Sequence, residues 1–317
     1  MRTLLGVLAI GLTVSACASS TVGGAAASKQ APSPTPSMLA RPLPLAHPLG
    51  RDEIVVAMAG GRIAVMSPNG AVRRDLGTMP TVEGDEVNAI DVSPDGKSVL
   101  VSVLNDKDGA CAASVYSVGD DRVMHPFLNG AAASFSPDGR SVALLRYSPQ
   151  GEFCYRTRLV VRSLTDGSER TTPLPGGPTM EGNPPEWPVN WSPDGRRIAL
   201  VRGPHATASV ITVHTWTSTS FNGASRAGAP VFLSNSDVAL YTGCCAGSQQ
   251  AMTRFHEQRV VTKLFSVTSP VRSIRRDRGG AGVFFTTEPF EPGVNTLWHW
   301  DGSQLTALAP DVLVTSG

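Results

Sequence analysis

The side chains able to do chemistry in this chain are few and scattered. Cysteines stand at positions 17, 111, 154, 244 and 245, and histidines at 47, 125, 205, 214, 256 and 299. A nucleophilic serine or cysteine needs a base within hydrogen-bond reach, and common hydrolase frames announce themselves locally. G-x-S-x-G and H-E-x-x-H are both absent, and "GASRAG" around Ser225 has one residue too many. No histidine stands at ligand spacing from the adjacent Cys244-Cys245, so no metal and no cofactor is expected. "GG" at 60–61 reads as a tight turn rather than a phosphate loop. The remaining candidates are types that bind rather than react: Arg146, Tyr147, Tyr155, Glu181, Glu186, Trp187 and Arg202. Their meaning depends on the elements that hold them.

Composition limits those elements. The chain has 317 residues, 41% of them hydrophobic and only 17% charged, with 32 Gly and 25 Pro. Low charge with many turn formers favours an all-β chain. A net charge of +1 favours neither nucleic acid nor an acidic surface as partner.

The first residues read as an export signal. Arg2 is followed by the apolar "LLGVLAIGLTV" and then by Ser15-Ala16-Cys17. The apolar stretch is short for a membrane span. "VSAC", from Val14 to Cys17, resembles the bacterial lipobox. That resemblance implies cleavage before Cys17 and attachment of diacylglycerol through its sulfur, with two or more acyl chains giving a stable anchor. The expected organisation is a signal peptide over 1–16, a disordered Ala/Ser/Pro-rich tether over 17–47, and a folded domain over 48–317.

That folded domain repeats. Ser-Pro-Asp-Gly occurs at Ser93, Ser136 and Ser192, and a degenerate copy, "LSNSDVALYTG", places its turn at Ser234. The spacings are 43, 56 and 42 residues. A period of about 40–45 residues suits a four-stranded propeller blade. In the second unit "AAASF", "RSVALLRY", "RLVVRSL" and "ERTTPL" are four strands separated by turns. The apolar runs are nearly continuous, as expected of strands buried on both faces. The first unit shows three strands, and its fourth is expected at the C-terminal "DVLVTSG". The prediction is an all-β, six-bladed β-propeller of four-stranded antiparallel blades, closed by pairing of the terminal strands.

The three tetrads, each followed by Lys or Arg and an apolar strand, resemble the TolB-like, WD40-like propeller repeat family over residues 50–317. Propellers serve many purposes, so the resemblance implies a fold more firmly than a function. In such a blade the tetrads are turns between the two innermost strands. Proline at the first central position, Asp bonding nearby amides and Gly at positive φ give each residue a structural task. The longer connections fall on the opposite face, where function usually sits. They include "RYSPQGEFCYRT", "RGPHATA", "TGCCAGSQQ" and "PLPGGPTMEGNPPEWP". Arg146, Tyr147, Glu181, Glu186, Trp187 and Arg202 are therefore the expected ligand-binding residues, whereas Trp191 reads as core. Cys111 and Cys154 occupy equivalent loops of adjacent blades and could form a disulfide. Cys244 and Cys245 would then be left for a vicinal bridge, with free thiols or another pairing as alternatives.

Together these readings point to a monomeric lipoprotein on the extracytoplasmic face of a bacterial membrane. It would act as a binding or scaffold module for a protein, peptide or envelope ligand. The alternative is a propeller enzyme, a hydrolase or lyase using carboxylates and arginines near the central channel.

Overall fold

The strands of this chain alternate with turns whose side chains enforce reversal, and each group of four closes on itself as a small sheet. In the computed structural model the described residues are 38–79, 85–105, 112–150, 153–174, 189–202, 207–221, 227–242, 250–257, 259–280, 282–288 and 294–316. The first three strands are β1 (Ile54–Met58), β2 (Arg62–Met66) and β3 (Val72–Thr78). Blade 2 comprises β4 (Asp85–Val92), β5 (Val99–Asn105), β6 (Ala112–Val118) and β7 (Met124–Asn129). Blade 3 comprises β8 (Ala131–Phe135), β9 (Ser141–Gln150), β10 (Phe153–Ser163) and β11 (Glu169–Pro173). In blade 4 come β12 (Asn190–Trp191), β13 (Arg197–Arg202), β14 (Thr207–Thr212) and β15 (Thr217–Ser220). Blade 5 holds β16 (Ala227–Phe232), β17 (Asp237–Thr242), β18 (Gln250–His256) and β19 (Arg259–Val267). Blade 6 holds β20 (Val271–Arg276), β21 (Val283–Thr287), β22 (Thr296–Trp300) and β23 (Leu305–Pro310). The last strand, β24 (Val312–Thr315), returns to blade 1, giving the order β24-β1-β2-β3. All six sheets are four-stranded and antiparallel, as the repeat predicts.

The Ser-Pro-Asp-Gly turns explain why the repeat is written as it is. In each, the Ser hydroxyl donates to the Asp carboxylate, at 2.7 Å for Ser93–Asp95 and 2.6 Å for Ser136–Asp138 and Ser192–Asp194. The same hydroxyl accepts from the amide five residues on, at 2.8–2.9 Å. The Asp accepts from the amide two residues on. Gly96, Gly139 and Gly195 take φ of 72°, 68° and 69°, the left-handed region that an L side chain resists. Burial works against ionisation of these Asp residues, but the Ser hydroxyl and backbone amide outweigh it and hold all three carboxyls below the ordinary range. "SPNG" at Ser67 builds the same turn with Asn69 in the Asp position.

Packing accounts for the continuous apolar runs. Alternate residues of β1 enter different cores: Val55 and Ala57 join Ile90, Val99 and Val101 of blade 2, whereas Ile54 and Val56 join Phe284 and Leu297 of blade 6. Both faces of β1 thus meet a neighbouring blade, and polar alternation disappears from it. Outer strands are the exception; β19 is largely exposed. Closure is specific: Val56 pairs with Thr315 and Ala57 with Val314, and the Ser316 hydroxyl accepts from the Val55 amide at 2.7 Å.

Three local readings change. "RYSPQGEFCYRT" is not an open loop between strands. β9 and β10 continue as a long hairpin in which Phe153 pairs with Gln150 and Cys154 with Pro149. The register of the repeat would run the inner strand of blade 4 over "PVNWS" at 188–192; it is instead a two-residue strand, because its ladder with β13 covers only Asn190 and Trp191. Residues 39–49, mostly within the stretch read as a tether, lie along blade 2. The amides of Leu39, Leu45 and Leu49 donate to the carbonyls of Pro126, Lys97 and Gly96, and Leu45 and Leu49 are buried.

Candidate functional site

Propeller inner strands converge on the axis, so side chains at their ends can meet although far apart in sequence. Here the ends of β4, β8, β12 and β20 meet on the face that carries the Ser-Pro-Asp-Gly turns. They enclose a cavity of about 460 Å³ rimmed by Pro94, Pro137 and Pro193 of the three turns and by Trp191. Trp191 is more than filler: its ring packs on the blade 3–blade 4 core, and its indole N–H donates to the Ser134 carbonyl at 3.1 Å.

Arg275 crosses the base of this cavity and is 3% exposed. Its Nε donates to the Ile90 carbonyl at 3.1 Å, and Nη2 donates to Ala133 at 2.9 Å. Nη1 donates to the Val189 carbonyl at 2.7 Å and to Asn190 Oδ1 at 3.2 Å. One guanidinium of blade 6 therefore holds the inner edges of blades 2, 3 and 4. An irregularity in β8 helps: its ladder with β9 skips between Ala131 and Ser134, and Ala132 takes φ of 57°. The interruption releases Ala133 from regular pairing, so that its amide donates to Ser102 Oγ and its carbonyl accepts from Arg275.

Asp91, at the end of β4, supplies the balancing charge. Its Oδ2 accepts from the Phe135 amide at 2.6 Å and from the Ser134 hydroxyl at 3.0 Å. Burial pushes its carboxyl above the ordinary range, against the opposing pull of Arg275 and those hydrogen bonds. Beyond Arg275 the cavity is lined by three more arginines, Arg51, Arg276 and Arg278, and by Asp277. Asp277 is engaged elsewhere, accepting from the Gly279 amide at 2.8 Å and pairing with His299 Nε2 at 3.2 Å. Burial lowers the Arg278 pKa, opposed by the charges of Asp91, Glu53 and Asp95.

The residues singled out from sequence fare differently. Arg146 forms an ion pair with Glu169 at 2.6 Å, and Tyr147 packs against the core between blades 3 and 4. Glu181, Glu186 and Trp187 lie outside the described residues, as do the side chains of Tyr155 and Arg202. Cys17, Cys111, Cys244 and Cys245 also lie outside them, and of Cys154 only the backbone is described. Sequence reasoning passed over the cavity residues themselves. The available signal was "VRSIRRDRGG" at 271–280, where four arginines crowd the inner strand and turn of the last blade. Among the described residues, no group of three His, Cys, Asp or Glu could hold a metal ion, and no helix is long and apolar enough to cross a membrane.

No protein-family model matches the chain, and no curated protein matches it. Solved structures do. TolB from Acinetobacter baumannii matches with a TM-score of 0.60 at 14% identity, over 85% of this chain and 67% of that one. A putative TolB from Agrobacterium tumefaciens gives 0.56 at 16% identity, over 81% and 88%. A Bacteroides caccae protein of unknown function gives 0.53 at 14%, over 83% and 97%. At such identity these are likenesses of fold, and the fold is the six-bladed propeller of those TolB structures.

Proposed function

We propose that this chain is an extracytoplasmic binding module, anchored to a bacterial membrane through Cys17, that takes its ligand into the arginine-lined cavity on the turn face. The observation that carries this reading is the cavity: a concave site at the convergence of four inner strands, with guanidinium groups beyond the one used to hold the ring. Rigid walls with a few convergent polar groups are what ligand sites need. The lipobox-like "VSAC" supports the anchor and the export. The likeness in fold to TolB structures supports a propeller that works by binding. The competing reading is the one drawn from sequence, in which Arg146, Tyr147, Glu181, Glu186, Trp187 and Arg202, expected on the opposite face, bind the ligand.

The test is site-specific photo-crosslinking in cells, with the reactive group at Pro193 on the cavity rim or at Glu186 in the longest connection. Adducts from position 193, lost in Arg276→Gln/Arg278→Gln, support the turn face; adducts from position 186 alone move the site to the other face. Cys17→Ser should shift the protein from the membrane to the soluble fraction, and retention at the membrane refutes the anchor.

A second reading, an enzyme using the same groups, draws on Asp91, a carboxyl in the cavity lining that burial holds above its ordinary range against the pull of Arg275. A screen with ester, glycan and lactone substrates decides it: turnover abolished by Asp91→Asn favours the enzyme.

A further inference from the structure

We infer that the turn-face cavity is a receptor for an oxyanion group, a phosphate or a carboxylate, gripped by Arg276 and Arg278 with Arg51 at the rim. The inference rests on reading this cavity as the ligand site and adds the chemical class of what enters it.

The argument begins with how each guanidinium is used. Arg275 spends its N–H groups on three carbonyls and the Asn190 side chain, so it is floor rather than receptor. Arg276 Nε and Arg278 Nη1 are buried donors with no hydrogen-bond partner. Buried polar groups in native proteins are almost always paired, so two orphaned donors on neighbouring cations call for an explanation. The nearby carboxylates do not provide one. Asp277, between the two arginines in sequence, is held by Gly279 and His299, and Asp91 Oδ2 is held by Phe135 and Ser134; Glu53 and Asp95, whose charges also act on Arg278, are engaged by the Gly50 amide and by Ser93 and the Lys97 amide. The lining carries four arginines against two carboxylates, Asp91 and Asp277. A cationic concavity walled by protein concentrates anions. Planar forks of N–H donors match the paired oxygens of carboxylate and phosphate groups, a geometry that lysine cannot reproduce.

Neighbouring arginines contrast with this pair. Arg272, on the same strand near its other end, is saturated by Glu86 at 3.1 Å and Glu288 at 3.0 Å. Elsewhere in the ring Arg62 is paired with Asp75 at 3.0 Å and Arg162 with Glu169 at 3.2 Å, although Arg162 Nε, like Arg276 Nε, is a buried donor without a hydrogen-bond partner; what sets Arg276 and Arg278 apart is the missing carboxylate. Among the described residues neither Arg276 nor Arg278 forms such an ion pair, and both line the cavity, together with Arg51 and Arg275.

The test is isothermal titration calorimetry of the whole mature chain with inorganic phosphate and, separately, succinate, at constant ionic strength set with sodium chloride. Saturable binding of at least one anion is expected, with affinity reduced at least tenfold in Arg276→Gln and in Arg278→Gln and unchanged in Arg272→Gln. Preference for phosphate identifies the natural group as a phosphate; preference for succinate identifies a carboxylate. Thermal melting of each variant confirms that the ring is intact, and Arg278→Lys serves as a milder variant if Arg278→Gln fails to fold. No binding of either anion, or equal loss in Arg272→Gln, overturns the inference. The parent reading fails separately: if rim crosslinks at Pro193 persist while neither anion binds, the cavity is a ligand site for something uncharged; if both are absent, it is not a site.

Discussion

Replacing Arg275 with methionine tests whether one guanidinium holds the inner edges of this propeller together. Methionine keeps most of the side-chain volume and removes every donor. Four hydrogen bonds disappear, from Nε, Nη1 and Nη2 to Ile90, Val189, Asn190 and Ala133. Each charge-assisted bond is worth about 1.5–3 kcal/mol, but a simple sum overstates the loss. Water from the cavity can reach some stranded carbonyls, and the cost of burying the guanidinium is recovered. Removing one member of a buried charged pair generally costs about 3–5 kcal/mol. At about 2 °C per kcal/mol for a domain of this size, the melting midpoint should fall by about 6–10 °C. Circular dichroism and tryptophan fluorescence would both report it. Arg275→Lys, which keeps the charge but cannot span all four acceptors, should lie between methionine and wild type. Adding Asp91→Asn to Arg275→Met should restore part of the loss, because Asp91 then no longer lacks its cation. A midpoint for Arg275→Met within about 2 °C of wild type would falsify the claim that this residue ties blades 2, 3 and 4 to blade 6.

Other perturbations separate causes within the fold. Gly96→Ala should destabilise more than Gly139→Ala: both have positive φ, but a Cβ at 96 would meet the Leu49 carbonyl oxygen at 2.3 Å, whereas the nearest atom to one at 139 is Pro94 Cδ at 3.6 Å. Equal melting points for the two would mean that the Leu49 contact is not retained in solution. Ser136→Ala removes a hydroxyl that both donates to Asp138 and accepts from the Ser141 amide; the expected cost in urea titration is about 1–2 kcal/mol. Stability should also fall in acid. Asp95, Asp138 and Asp194 have lowered carboxyl pKa values in the fold, and Asp166 and Asp301 titrate at about 2. The unfolded chain takes up these protons near pH 4, so the contribution is complete above that pH and is lost as pH falls toward 2. A melting midpoint that is flat across this window would contradict the assignment.

The architecture was legible because its determinants are local and repeated. Ser93, Ser136 and Ser192 each reverse the chain with their own turn, and "DVLVTSG" could be matched to the blade that lacked a strand. Strand extent was less legible where pairing decides it. Pro149 and Gly151 suggest a loop, yet the β9–β10 ladder continues past Tyr147 because a long hairpin pairs its own backbone. The cavity was least legible. "VRSIRR" fits a strand frame, and nothing in it says that Arg275 will find acceptors 86, 142 and 185 residues away while Arg276 Nε is left without one. Three arginines in one inner strand, where β8 reads "AAASF" and β16 "AGAPVF", are the clue that would have marked the site.

The pairing of β1 with β24 has a consequence for the order of assembly. Val55 is made early, yet its amide waits for the hydroxyl of Ser316, the partner that arrives after every other strand of the ring. Until then the inner edge of blade 1 has no neighbour, and the axis cannot be enclosed. A chain emerging from a ribosome or a translocation pore can form blades 2 to 6 in turn, because each is contiguous. It cannot seal the ring before its final strand is free. Completion is thus a late, all-or-none event, and it leaves a window in which the unpaired edge of β1 is open to a chaperone or to another copy of the chain.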